Sequence, residues 1–117
     1  MTNERPADCL FCKIVARELP ADVLYEDEHV LAFADIRPQA PLHALVVPKV
    51  HLATLNDFRA EHAELAGRLM LTAQRLAAER SLPGYRVAMN VGREGGQVVF
   101  HAHLHVLGGR PMKPGLG

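Results

Sequence analysis

The sequence predicts an α+β domain with a mainly antiparallel five-stranded sheet, one long helix and one short helix. Two observations predict it. Five short runs at 23–26, 29–34, 43–48, 86–91 and 98–107 have strand composition or alternation, and most are joined by short connections. One long segment, 58–80, instead repeats apolar residues at helical spacing. The length of 117 residues fits one domain spanning 1–117 and leaves little room for a second.

The elements follow in chain order. Asp8 is placed to cap a short helix running to about Ala16, with Leu10, Phe11, Ile14 and Val15 on one face. Runs 23–26 and 29–34 meet around Asp27 and Glu28. The apolar run 43–48 is closed by Pro48. In 58–80, Leu65, Leu69, Thr72 and Leu76 form the main apolar face, and Gly84 lies just past the end. Met70, Ala73 and Ala77 flank that face and offer a second contact. Run 86–91 is a fourth strand, 92–96 a loop with three glycines and 98–107 the last strand. Residues 1–7 read as a frayed start and 110–117 as a flexible Pro/Gly-rich tail.

Composition narrows the function. Apolar residues make up 49% of the chain, enough for a packed core. Thirteen Lys and Arg balance 13 Asp and Glu. A sequence-independent grip on nucleic acid needs a basic surplus, so no nucleic-acid partner is expected. No apolar run is long enough to cross a membrane. The polar residues 1–8 carry no secretory pattern, and the expected location is the cytoplasm. Cys9 and Cys12 are the only cysteines, and in that compartment their spacing suggests metal or redox chemistry before a disulfide.

The informative run is Val99-Phe100-His101-Ala102-His103-Leu104-His105-Val106-Leu107. On a strand, alternation places His101, His103 and His105 on one face and Phe100, Ala102, Leu104 and Val106 on the core face. Three readings compete: a His-rich surface strand, a metal site, or nucleophilic catalysis. Same-face neighbours are about 6.6 Å apart, so the outer pair are about 13 Å apart. With metal–nitrogen bonds of about 2 Å, two of the three share a metal, never all three on a straight strand.

His101-Ala102-His103-Leu104-His105-Val106-Leu107 resembles the His-φ-His-φ-His-φ-φ signature of the histidine triad family, φ being apolar. Further segments resemble its Hint branch: Leu31-Ala32-Phe33-Ala34-Asp35-Ile36, Pro38-Gln39-Ala40-Pro41, His43-Ala44-Leu45-Val46-Val47-Pro48-Lys49, Gly95-Gly96-Gln97 and Leu107-Gly108-Gly109-Arg110-Pro111-Met112. The resemblance implies a HIT-like fold and a homodimer sharing one continuous sheet. It implies hydrolysis of purine nucleoside 5′-phosphoramidates through a nucleotidyl-histidine intermediate.

Carried over by position, His103 is the nucleophile, His105 contacts phosphate and handles protons, and His43 supports the nucleophile or relays a proton. His101 is the first histidine of the triad. Asp35 accepts the ribose hydroxyls, and Leu10, Phe11, Ile14, Phe33 and Ile36 form the slot for the base. Asn90 and the loop through Gly96, Gln97 and Val98 contact phosphate, with glycine backbone N–H groups as an anion nest. The resemblance further implies a structural zinc held by Cys9, Cys12, His51 and His101; free thiols or a redox pair are the alternatives. Two features depart from the Hint pattern. Val98 stands where many relatives carry a polar residue, and the tail lacks the tryptophan that some relatives bring from the partner subunit. Competing functions are a dinucleoside polyphosphate hydrolase or nucleotidyl transferase, a nucleotide-binding regulator with vestigial hydrolysis, and a plain zinc module.

Overall fold

The structure is a computed structural model that describes residues 5–115. Parts of the expected frayed start and flexible tail, residues 1–4 and 116–117, lie outside the described residues. The elements are α1 (Leu10–Val15), β1 (Val23–Glu26), β2 (Val30–Ala34), β3 (Leu42–Pro48), α2 (Ala63–Glu79), β4 (Tyr85–Ala88) and β5 (Leu104–Gly108). All strand pairs are antiparallel, in the order β1-β2-β3-β5-β4. The expected α+β class and five-stranded sheet are what the chain forms.

The sheet is a middle layer with a different cover on each face. Residues paired directly across strands share a face. Val30, Ala32, Ala44, Val46, Leu104 and Val106 face α2 and bury against Leu69, Ala73 and Leu76. Leu31, Phe33, Leu45 and Val47 face the other way, against Cys9, Phe11 and Cys12 of the α1 region. Covering on both faces explains why every residue of β3 is buried. The register puts Leu45 opposite His105 and His43 opposite Leu107, so both histidines emerge on the α1 face.

Several boundaries differ from the pattern reading. Cys9 rather than Asp8 caps α1, its sulfur accepting the Cys12 N–H at 3.2 Å. Residues 58–62 do not join α2. Asp57 accepts the Thr54 N–H at 2.9 Å and His62 Nδ1 accepts the Arg59 N–H at 3.0 Å, which holds the chain before α2 in two short 3₁₀ turns, Leu55–Asp57 and Ala60–His62. The stop of α2 is Ser81, at φ 54°, with the Leu82 N–H returning to Ala77 O, rather than Gly84. Ala73 and Ala77 lie in the core and are not free for a second contact, whereas Met70 is 54% exposed.

The last strand begins at Leu104, not at residue 98. The ladder with β3 ends at Val46↔Leu104. Two residues further, that register would set Ala102 against Pro48, which has no N–H to give. Ala102 instead donates to Leu52 O at 2.7 Å. β4 stops at Ala88, opposite His105, because β5 offers little to pair with beyond that point. Within the described residues, Arg86 donates to Lys113 O at 2.6 Å and Arg110 to Gln39 O at 2.8 Å.

Candidate active site and metal centre

A pocket of about 430 Å³ opens on the α1 face of the sheet. That volume lies within the range of small-molecule sites. Its apolar wall includes Leu10, Phe11, Ile14, Phe33 and Ile36, and its polar wall includes Asp35, Asn90, His103 and His105. Phe11 is the pivot, packing edge-on against Phe33 at 5.4 Å and against the His103 ring at 5.1 Å. Ile36 stands at the rim, 90% exposed.

The irregular stretch before β5 splays the three histidines. His101 turns into the protein and is fully buried, and its Nε2–H donates to Pro48 O at 2.8 Å. This leaves Nδ1 as a lone pair. His103 donates its Nδ1–H to His101 O at 2.7 Å. Its Nε2 is therefore the free, nucleophilic nitrogen. Burial holds His103 below the ordinary histidine value, against the opposing pull of the His101 carbonyl and Asp35. A neutral imidazole with a fixed tautomer is the form that attacks phosphorus. Phe100, expected in the core, is 44% exposed because it precedes the strand.

His105 and His43 form a second pair. The Gln39 N–H donates to His43 Nδ1 at 3.1 Å. The His43 proton therefore sits on Nε2 and donates to His105 Nδ1 at 3.0 Å. That leaves a proton on His105 Nε2. Burial lowers the His105 pKa, His103 and His43 lower it further, and Asp35 opposes them.

A third cluster lies behind His103. Cys9 Sγ, Cys12 Sγ, His51 Nδ1 and His101 Nδ1 all lie within 4.8 Å of one another. Individual separations are 3.4 Å from Cys9 to His101, 3.3 Å from Cys12 to His51, 3.5 Å from Cys12 to His101 and 3.2 Å between the two imidazole nitrogens. A tetrahedron with bonds of about 2.0–2.3 Å has edges of about 3.3–3.8 Å, so these spacings fit a four-coordinate ion. Burial lowers both imidazoles, His101 to about 4, which keeps them neutral as ligands must be. Burial and the neighbouring Cys9 push the Cys12 thiol up to about 12. A bound cation reverses that preference by stabilising thiolate. The set can hold a metal ion.

Most residues expected in the site come together. Leu10, Phe11, Ile14, Phe33, Asp35, Ile36, Asn90, Gly96, Val98, His103 and His105 all line the pocket. Gln97 does not. It is buried and works as a strut, its amide N–H groups donating to Ala53 O and Val99 O and its oxygen accepting the Gly92 N–H. The glycine loop is no anion nest at its centre: the N–H groups of Gly95, Gly96 and Gln97 donate to Gly92 O or Arg93 O. Pattern reading missed Arg37 and Gln39, which also line the pocket. Their signal was the turn that Asp35 starts by accepting the Arg37 N–H at 2.8 Å.

Comparison with known proteins identifies the family. A family model described as HIT domain matches residues 16–112. The purine nucleoside phosphoramidase of Escherichia coli strain K12 is 46% identical over 109 residues, which cover 92% of each chain. A solved HIT family hydrolase from Legionella pneumophila Philadelphia 1 is 50% identical with a TM-score of 0.89, covering 92% of this chain and 97% of that one. A Zn-bound histidine triad family protein from Mycobacterium smegmatis is 41% identical with a TM-score of 0.78, covering 88% of this chain and 76% of that one. On the family match and on identity across nearly its whole length, the chain belongs to the HIT family.

Proposed function

We propose that this chain is a purine nucleoside phosphoramidase that works through a nucleotidyl-histidine on His103. One observation carries the reading. The Nδ1–H of His103 is spent on His101 O, so a neutral Nε2 remains in a pocket that also holds His105 and Asp35. The likeness to the E. coli phosphoramidase supports the substrate class.

The base sits between the Phe11 and Phe33 wall and the Ile36 rim, the ribose on Asp35, and the α-phosphate beside His103. The His103 Nε2 lone pair forms the P–N bond, and the bond to the leaving amine breaks with its electron pair going to that nitrogen. His105, protonated on both nitrogens, supplies the leaving group's proton from Nε2 and is left neutral. Water then attacks phosphorus, returns a proton to His105 and releases His103 with the nucleoside monophosphate. An apolar slot reads few base edges, so discrimination between purines is modest.

Zinc is the ion proposed for Cys9, Cys12, His51 and His101, and a mixed Cys₂His₂ set suits it. Bound there, it supplies a structural cross-link between the start of α1 and the approach to β5. The protein is also proposed to dimerise through the β4 edge. The other edge, β1, is blunted by a register irregularity and by Glu26. β4 carries no acidic residue and borders an open cleft of about 880 Å³ lined in part by Leu82, Pro83, Tyr85 and Met112.

The test is hydrolysis of adenosine 5′-phosphoramidate by the wild type and by His103→Ala. Turnover in the wild type with none in the variant supports the reading. Binding of AMP with no turnover in either protein would replace it with a nucleotide-binding regulator.

A further inference from the structure

Asp35 touches more than the pocket. Its Oδ1 accepts the Arg37 N–H at 2.8 Å. Its Oδ2 lies 3.4 Å from Nε2 of His43, a side chain only 3% exposed. The same Nε2 is 3.0 Å from His105 Nδ1. The His43 N–H is hydrogen-bonded to the imidazole nitrogen, and the carboxylate stands beside it at ion-pair distance.

Asp35, His43 and His105 bring three ligating atoms within 4.8 Å, a spacing that also suits a cation. The hydrogen bonds argue against one. Gln39 N–H occupies His43 Nδ1, so neutral His43 keeps its proton on the nitrogen that faces the cluster. In the cysteine cluster the opposite holds: His101 spends its proton on Pro48 O and turns its lone pair inward. One cluster is arranged to hold an ion and the other to hold a proton.

Three of the four ring nitrogens of the His43–His105 pair are hydrogen-bonded within the protein. His43 Nδ1 accepts, His43 Nε2 donates, His105 Nδ1 accepts and His105 Nε2 carries its proton towards the pocket. A further proton enters at His105 Nδ1 only if His43 Nε2–H finds another acceptor. Asp35 Oδ2 is within reach. Other groups facing the pair are His103, with ring centroids 5.0 Å from His105, and Arg37 on the pocket wall. β4 presents uncharged Ala88 opposite His105, and α1 presents uncharged Phe11 to the pocket.

We propose that Asp35 is a positioning residue for the His43–His105 pair: it takes the His43 Nε2–H and balances the charge when His105 carries protons on both nitrogens. This rests on the phosphoramidase reading above. As the P–N bond breaks, its electron pair goes to the leaving nitrogen, which takes the Nε2 proton of His105. His105 is then neutral, with its proton on Nδ1. Water attacking the nucleotidyl-histidine gives its proton back to Nε2. His43 Nε2–H stays on Asp35 through both halves, so the pair returns to its starting charge.

The experiment compares wild type, Asp35→Asn and Asp35→Glu on adenosine 5′-phosphoramidate and its 2′-deoxy analogue, with kcat against pH. Imidazole NMR titrations of His43 and His105 in the same proteins provide a readout independent of turnover. Asp35→Asn is expected to lower kcat about tenfold or more on both substrates. Removing the carboxylate destabilises imidazolium, so the NMR midpoint of His105 falls by about one pH unit or more. The loss of kcat with rising pH sets in correspondingly lower, and Asp35→Glu restores part of both. A contact confined to ribose would raise KM for the ribose substrate alone and leave kcat and the NMR midpoint unchanged, which would overturn the proposal. If the wild type hydrolyses no phosphoramidate, the substrate reading fails by itself. The NMR midpoint in Asp35→Asn then decides the proposal, a fall supporting it and no change overturning it.

Discussion

Gly95→Ala tests whether the loop before the triad positions His103, the proposed nucleophile. A Cβ at Gly95 would stand 2.3 Å from Val91 O and 2.9 Å from Val91 N, both backbone atoms. Side chains do not approach backbone that closely, so the loop must move by at least about 0.7 Å. Overpacking of this kind costs about 1–3 kcal/mol. The movement reaches the site through Gln97, which ties the loop to Ala53 O and Val99 O just ahead of His101 and His103. A displacement near 1 Å at a reacting group costs up to about a hundredfold. The expected result is a fall in kcat/KM of about 10–100-fold and a Tm lower by roughly 4 °C or more. Gly92→Ala is the control. It has φ +71° but meets nothing within 4 Å, so it costs about 1–2 kcal/mol of local strain and leaves kcat/KM within a few-fold. Phosphoramidate kinetics and thermal melts of the three proteins decide. Wild-type kinetics and Tm in Gly95→Ala, or an equal loss in Gly92→Ala, would refute the reasoning.

Other consequences are equally direct. Chelation of the purified protein should lower its Tm, zinc but not magnesium should restore it, and Cys12→Ser should abolish stoichiometric zinc in elemental analysis. In metal-free protein, burial holds His101 near 4 while the unfolded chain keeps the ordinary histidine value of 6.5. The unfolded state thus binds the extra proton first. Stability should be unaffected above pH 6.5 and fall by up to about 3 kcal/mol as pH drops from there towards 4, a component that His101→Asn removes in urea titrations. Phe11→Ala should cost about 3–5 kcal/mol in chemical unfolding because the side chain is 5% exposed, and should loosen the wall behind His103.

Much of the site was legible because its signals are local. The His-x-His-x-His motif and the Cys-x-x-Cys spacing depend on near neighbours in sequence, and the bounds of β1 followed from turn signals on either side. The parts that were not legible depend on partners far along the chain. The ladder stops before Ala102 because residue 48, opposite it, is a proline. Gln97 reads as a phosphate contact until Ala53 O is placed beside it, 44 positions away in sequence. The glycine loop reads as an anion nest until its own carbonyls are seen to take the N–H groups. Cys9 as a helix cap also escapes propensity, because thiols are uncommon in that role and the adjacent Asp8 is the more usual choice. The tautomers of His101, His103 and His43 follow only from Pro48 O, His101 O and Gln39 N–H in three dimensions.

The most direct test of the central claim is to trap the intermediate. The wild type is mixed with adenosine 5′-phosphoramidate, quenched within a turnover, digested and mapped by mass spectrometry. The account predicts an adenylyl group on the peptide at His103, absent in His103→Ala. Turnover with no adduct, or with an adduct on another residue and activity retained in His103→Ala, would contradict it.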